Sequence, residues 1–391
     1  MRRAADGLAA WILVGVIGWA GVAAIGWMLW QSTPPKAGFD LSLLLEAARR
    51  VTAGQSPYDP AMLAGASPDA TALFYSYPPP VAQAMTLLAW LPDGVVLVLW
   101  AIGAALGLRL VAWRLSMASG RRDPQADAIK AAAVMPLVLP FAVAVLFGNL
   151  DAWYGLAFGA LVLAVAAGPS SRGQAVAGGV ALGIVSVAKL HPALLLAWLA
   201  ARALVDRQGS ARPVLAAAVA TGLVVVAASL LAGGVGPWQD YVRVVQAGTG
   251  AAVVDPRNVG PVSLLGQLVP LDGTAVRLAQ AAVSAAALGV TVLAAWRVRD
   301  PLASVALAIT ASLVVLPVTW YHYPVALIPV GIALAMRRPA SRAWVAVAAV
   351  VADLGVAFLP LVWLAAAVLV GAAWRGHEGR AGAVAGLVSA S

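Results

Sequence analysis

Cysteine is missing from the 391-residue chain. Its absence excludes disulfides, thiolate nucleophiles, cysteine-ligated zinc and iron–sulfur clusters. Charge is thin as well: 10% of residues are Asp, Glu, Lys or Arg, where soluble domains average about a quarter. An ordinary soluble domain is thereby excluded. Histidine occurs three times at distant positions, so no metal-ligand spacing forms. The chain has no Asp-x-Asp pair to hold a divalent ion between phosphates, no Walker loop and no Gly-x-Gly-x-x-Gly at a strand end. No cofactor is implied, and driving energy has to come from an activated substrate or a gradient.

What is present is apolar: 62% of the residues, in long runs from Leu8 to Val370. A bilayer span needs about 20 mostly apolar residues. Spans are predicted at 8–30, 93–114, 130–147, 152–168, 174–188, 190–204, 212–232, 275–296, 301–317, 323–336, 343–357 and 358–374. The alternating segments of an outer-membrane barrel are absent. The expectation is an all-α polytopic membrane protein of about 12 transmembrane helices, one integral membrane domain over residues 1–391. The first run exceeds the roughly 7–15 apolar residues of a signal-peptide core, and is expected to be a retained anchor. An even number of spans puts both termini in the cytoplasm, with 18 of the 25 Lys and Arg on that side, as the positive-inside rule asks. The same distribution accounts for the net charge of +9 without a nucleic-acid partner. No pattern speaks to oligomeric state.

Two segments expected outside the membrane are long, residues 31–92 and 233–274. Loops of that size usually carry function. In the first, Asp40–Val51 reads as an amphipathic helix at the membrane surface, with Leu41, Leu44, Leu45, Ala48 and Val51 on one face. Glu46 and Arg50 form an i,i+4 pair, Gly54 is a natural stop, and Asp40 takes the N-cap position. Asp40 has two readings: a cap contributing about 1 kcal/mol, or a carboxylate kept ionised by the helix N-terminus and able to act as a base. Tyr58-Asp59 supplies a second acid, which also reads as a solvated turn residue before Pro60. Phe74-Tyr75-Ser76-Tyr77-Pro78-Pro79-Pro80 reads as an interfacial aromatic belt, leading into a short interfacial or re-entrant helix over Val81–Leu91.

Charge at membrane depth is concentrated at Ala188-Lys189-Leu190-His191-Pro192, between two helices of about 15 residues each. At 1.5 Å per residue each reaches only about 22 Å, short of the roughly 30 Å hydrocarbon core. Lys189 and His191 then sit inside protein or a wet cavity, where buried charge marks function; snorkelling is the alternative. A lipid phosphate would justify a cation there. Gly148-Asn149-Leu150-Asp151 and Trp320-Tyr321-His322-Tyr323-Pro324 occupy two other turns. Arg257, in Asp255-Pro256-Arg257-Asn258, either pairs with Asp255 or binds a phosphate.

These residues together carry a resemblance. Phe39-Asp40 with Ala47-Ala48, Gly54 and Pro57-Tyr58, then Phe74, Tyr77-Pro78-Pro79 and Leu91-Pro92, open the pattern. Gly148-Asn149-Leu150-Asp151, Gly183, Ala188-Lys189-Leu190-His191-Pro192, Asn258 with Ser263-Leu264-Leu265, and Leu316-Pro317 with Trp320-Tyr321-His322 continue it. From about residue 38 to 335 the chain resembles glycosyltransferase family 87, the polyprenyl-phosphate-mannose-dependent α-1,2-mannosyltransferases of the C-type membrane glycosyltransferase fold. It differs from the usual family pattern at Asn149-Leu150-Asp151 and Leu316-Pro317.

The resemblance implies a polyprenyl-phosphate sugar donor, a glycolipid acceptor such as a phosphatidylinositol mannoside or lipoglycan, and inverting transfer at the external face of the plasma membrane. It implies Asp40 as general base, with Asp59 the other candidate. Lys189, His191, Arg257 and His322 are then candidates for the donor phosphate. Tyr58, Tyr75, Tyr77, Asn149, Asp151, Asn258 and Trp320 are candidates for substrate contact. The competing expectations are a lipid-linked sugar transporter or flippase, which often carries inverted repeats that this sequence lacks, and a structural membrane subunit, which would not need Lys189.

Overall fold

The computed structural model describes residues 2–32, 36–64, 74–166, 171–206, 209–253 and 255–388. Residues 33–35 and 65–73 of the first long segment, Val254 of the second, the end of the run at 152–168, and Arg207 lie outside the described residues. All regular elements among the described residues are helical. In chain order they are α1 (Arg2–Gln31), α2 (Phe39–Thr52), α3 (Pro60–Leu63), α4 (Pro79–Met85), α5 (Asp93–Ala118), α6 (Pro124–Val134), α7 (Leu139–Phe147), α8 (Tyr154–Ala166) and α9 (Arg172–Ala188). There follow α10 (Leu194–Val205), α11 (Ala211–Gly233), α12 (Gly236–Val253), α13 (Pro261–Leu268), α14 (Gly273–Arg297), α15 (Pro301–Val314), α16 (Ile328–Arg337), α17 (Arg342–Leu354) and α18 (Leu361–Val388).

Each apolar run is helical over most of its described length. By length and composition, α1 from Gly7, α5, α11 and α14 are able to cross a membrane. The α6–α7 pair makes a fifth if its 74° bend is counted within one span. Pro136 and Pro140 account for that bend, because each removes a backbone donor from the helical ladder. Other apolar helices are shorter, between 10 and 17 residues. Their backbones are satisfied internally, as a lipid setting demands. On α1, Ile12, Leu13, Val16, Ile17, Trp27 and Met28 are all exposed, a surface suited to hydrocarbon rather than water. By contrast, α15 is buried on nearly every side.

Small residues set how closely the helices pack. A Cβ on Gly179 would lie 2.4 Å from the Val214 carbonyl oxygen, and one on Gly183 would lie 2.5 Å from that of Ala218. Only glycine lets α9 and α11 approach so far, and close backbone contact replaces the hydrophobic drive that lipid does not supply.

The amphipathic helix expected in the first long segment is α2, which buries Leu41, Leu44, Leu45, Ala47 and Ala48. Arg50 pairs with Glu46 at 2.7 Å, and Gly54 takes a φ of 71° just past the helix end. One detail is corrected. Asp40 is not the N-cap: Gly38 holds that place at φ 72° with no side-chain cap, and Asp40 stands within the first turn. The helix expected over Val81–Leu91 is also shifted: α4 begins at Pro79 and ends at Met85, and tight turns carry the chain on to Leu91. Prolines at its start fix the local φ and favour the first helical turn there. In the second long segment, α12 and α13 replace what had read as loop.

Candidate functional site

The site is built where α7 turns into α8. Helix α7 stops at Gly148, with φ 66°, a left-handed conformation that glycine adopts without steric cost. The position has a second requirement: a Cβ there would lie 2.5 Å from Leu41 Cβ of α2. Glycine therefore lets the head of α2 dock against the α7–α8 corner, where Gly38 N–H also donates to the Leu146 carbonyl at 2.8 Å.

Asn149 ties three elements together. Its Oδ1 accepts from the Asp151 N–H at 2.9 Å and turns the chain into α8. Its carbonyl accepts from Trp100 Nε1 of α5 at 3.1 Å. Its Nδ2 donates to Asp40 Oδ2 at 2.8 Å, and the Asp40 side chain is half-buried.

Asp151, at 0% exposure, receives Lys189 Nζ at 2.9 and 3.0 Å on its two oxygens. Lys189 comes from the break that follows α9, where the backbone is extended at φ −152°. Pro192 disfavours helix at the residue before it, which helps hold this break open. The ammonium lies 3.8 Å from the Tyr323 ring centroid, 5.8 Å from that of Tyr77 and 6.0 Å from that of Tyr154. Such faces attract a cation. His322, on the connection from α15 to α16, places Nε2 3.3 Å from Asp151 Oδ2 without an aligned hydrogen bond. Residues from four separated stretches thus form one chain: Asp40, Asn149, Asp151, then Lys189 and His322.

An apolar cavity lies near the head of α2. It holds about 660 Å³ between α1, α5 and α7, lined by Trp19, Trp27, Trp30, Leu97, Leu106 and Leu146 among others. Leu97 is also the side chain that a Cβ on Gly38 or on Gly148 would meet at 3.2 Å. The cavity therefore adjoins the head of α2, two residues from Asp40.

Several candidates stand elsewhere, or are committed to the fold. His191 has 0% exposure, stacks on Tyr323 at 5.6 Å and sits edge-on to Tyr154. The ring is packed between these two aromatic side chains rather than on an open surface. Asp151 is likewise enclosed, and its oxygens face Lys189 and His322. Tyr58 is fully buried, with Oη donating to the Tyr77 carbonyl at 2.9 Å. Burial, with Tyr241 and Asp240 nearby, pushes its phenol well above the usual range, as suits a permanent donor. Tyr75 Oη donates to Pro78 O at 3.1 Å and accepts from Ala82 N–H at 2.9 Å. Both tyrosines take part in the packing of the first long segment.

Asn258 is likewise engaged by the fold. Its Nδ2 donates to Pro317 O at 2.9 Å, and its Oδ1 accepts from Gly260 and Thr319 N–H at 2.8 and 2.9 Å. Together with Val259 N–H to Thr319 O at 2.8 Å, this latch joins the second long segment to the α15–α16 connection. Arg257 pairs with Asp255 at 2.6 Å. Burial alone would raise the Asp255 pKa, but the Arg257 side chain and backbone N–H outweigh it and hold the carboxyl below the usual range. The guanidinium keeps about half its surface open and lies 5.8 Å from the Trp320 ring centroid. Asp59 caps α3 through Ala61 N–H at 2.8 Å and lies 3.9 Å from Arg50, which is the turn reading of that residue.

Sequence spacing singles out Asp40, Lys189 and His322 as candidates, but not that Asp151 is the counter-ion of Lys189. A signal existed: a lysine at membrane depth needs an acid, and few acids lie in or beside the apolar runs. Among the described residues no group of three His, Asp or Glu is placed to hold a metal.

The sequence pattern of glycosyltransferase family 87 matches residues 75–319. No curated protein matches the chain.

Proposed function

Because the chain belongs to glycosyltransferase family 87, we propose that it is a membrane mannosyltransferase. On this reading it takes mannose from polyprenyl-phosphate-mannose and transfers it with inversion to a hydroxyl of a glycolipid acceptor. The acceptor would be a phosphatidylinositol mannoside or related lipoglycan, and the product an α-1,2 linkage. The reaction belongs to the external face of the plasma membrane, with both termini cytoplasmic, following the distribution of Lys and Arg.

One observation carries the reading: a half-buried carboxylate, Asp40, oriented by Asn149 at 2.8 Å, sits beside a cation-bearing polar cluster, and Ala37, three residues before it, lines an apolar cavity. A lipid-borne substrate needs all three. Asp40 removes the proton from the acceptor hydroxyl as that oxygen attacks the anomeric carbon. The bond from that carbon to the phosphate oxygen breaks from the opposite face, and polyprenyl phosphate leaves with the electron pair. Positive charge must stand ready for it. Arg257, half-exposed over Trp320 and paired with Asp255, and His322 as a ring N–H donor at the edge of the cluster are the groups we assign to the departing phosphate. Lys189, paired with Asp151 and nearly fully buried, acts by fixing the cluster. Tyr77 and Trp320, both half-buried, are the aromatic faces left for the sugar or the tail.

The test uses purified full-length protein, radiolabelled polyprenyl-phosphate-mannose and a phosphatidylinositol mannoside. Transfer to the acceptor is expected with the wild type. Movement of labelled lipid across vesicles without transfer would replace the enzyme by a flippase. Transfer from a nucleotide sugar, but not from the lipid donor, would overturn the donor.

A further inference from the structure

At the far end of α1 and α5 lies a second cavity that the transfer reaction does not use. Helix α5 has 26 residues, about 39 Å at 1.5 Å per residue. Its Asp93 end pairs with Arg49 of α2, and Trp100, two turns in, bonds Asn149. The opposite end runs into Ser119–Arg122, and there a cavity of about 680 Å³ opens between the start of α1, the α5–α6 connection and the end of α16.

Its charge is unbalanced. Four cations line it, Arg121, Arg122, Lys130 and Arg337, against two acids, Asp123 and Asp127. Both acids are already engaged. Asp127 takes Arg121 at 3.0 Å and Ser116 Oγ at 2.7 Å, and Asp123 caps α6 through Ala126 N–H at 2.9 Å. The side chains of Arg122 and Lys130 make no hydrogen bond or close ion pair among the described residues, although Lys130 lies near enough to Asp127 to act on its charge.

The remaining walls are apolar, with Leu8 and Trp11 on α1 and Met336 on α16. Trp11 continues outward into Ile12 and Leu13, which are 49% and 60% exposed on a helix of membrane-crossing length. A free anion would have no use for that surface; an acyl chain would. We propose that this cavity is a binding site for an anionic phospholipid, with its phosphate on Arg122 and Lys130 and its chains along α1. A basic pocket between helices, with hydrocarbon-facing side chains at its rim, is suited to a lipid headgroup.

The test measures phosphatidylglycerol binding to the full-length protein in neutral detergent, by native mass spectrometry and by thermal unfolding. Phosphatidylcholine and inorganic phosphate are run in parallel. Phosphatidylglycerol should bind and raise Tm, and the other two should not. In Arg122→Ala/Lys130→Ala the affinity should fall at least about tenfold, the scale of two surface cations. Arg297→Ala removes an exposed cation outside the cavity and should change nothing. Should the double variant fail to fold, Arg122→Gln alone, at an exposed position, should weaken binding about fivefold. Unchanged affinity in the folded variants, equal loss in Arg297→Ala, or equal stabilisation by phosphatidylcholine or by inorganic phosphate would each overturn the site.

Discussion

The cluster around Asp151 and the latch around Asn258 are both knots of polar atoms in an apolar protein, but they close differently. In the latch, the Asn258 amide is bonded on both its oxygen and its nitrogen, and Asp255 is held by Arg257. In and around the cluster, among the described residues, His191 Nε2 has no hydrogen-bond partner, and His322 Nε2 faces Asp151 Oδ2 at 3.3 Å without an aligned bond. An unsatisfied buried polar atom costs about 1–3 kcal/mol. A polar set that closes on itself secures a fold, and one that stays open at its edge keeps capacity for chemistry. On the function proposed above, Asn258 is structural, whereas Asp40 and His322 belong to the reaction.

The comparison can be broken most forcefully at Asp151. Asp151→Ala leaves the Lys189 ammonium without its counter-ion and should destabilise the protein by about 3–5 kcal/mol, read as a lower Tm in detergent. Asp151→Asn/Lys189→Met removes both charges and should recover much of that loss, while the altered cluster still impairs transfer. Equal instability of the single and double variants would show that the pair does not act as a unit.

Asp40→Asn tests the open side. It keeps the shape and should lower transfer by at least about 10²-fold with Tm little changed. Full turnover in the folded variant would remove Asp40 as the base.

The latch should respond the other way. Asn258→Ala strands the Thr319 and Gly260 N–H groups and should cost about 1–3 kcal/mol of stability. Activity per folded molecule should stay near wild type; a loss confined to turnover would place Asn258 in the site after all. The smallest effect is expected at Asp59. Asp59→Ala removes the α3 cap, about 1 kcal/mol, and a large fall in transfer would return Asp59 to the role of base.

Local features were legible in the sequence because they depend on neighbours in the chain. The α2 face, the Glu46–Arg50 pair and the Gly54 stop follow from spacings of three to eight residues. So does the break at Lys189, from helix lengths and Pro192. What spacing does not reveal is a side chain's remote partner. Tyr58 and Tyr75 read as candidates for substrate contact in one dimension, yet they pack against each other at 5.5 Å, and Tyr58 also packs against Tyr241 of α12. Asn258 looks like a ligand residue until Pro317 and Thr319, about sixty positions on, take its amide.

Composition alone determined that this chain is helical and bound for a membrane, because a bilayer admits runs of apolar residues only with their backbones satisfied within each helix. It also fixed where charge is scarce enough for each buried group to matter. Only tertiary structure decided which charges meet. Lys189 and Asp151 stand 38 residues apart, and Asp40 and Asn149 stand 109 apart. Nothing in local spacing encodes such pairings; they arise because a buried charge is stable only beside its partner, and packing at Gly148 and Gly183 decides which partner arrives.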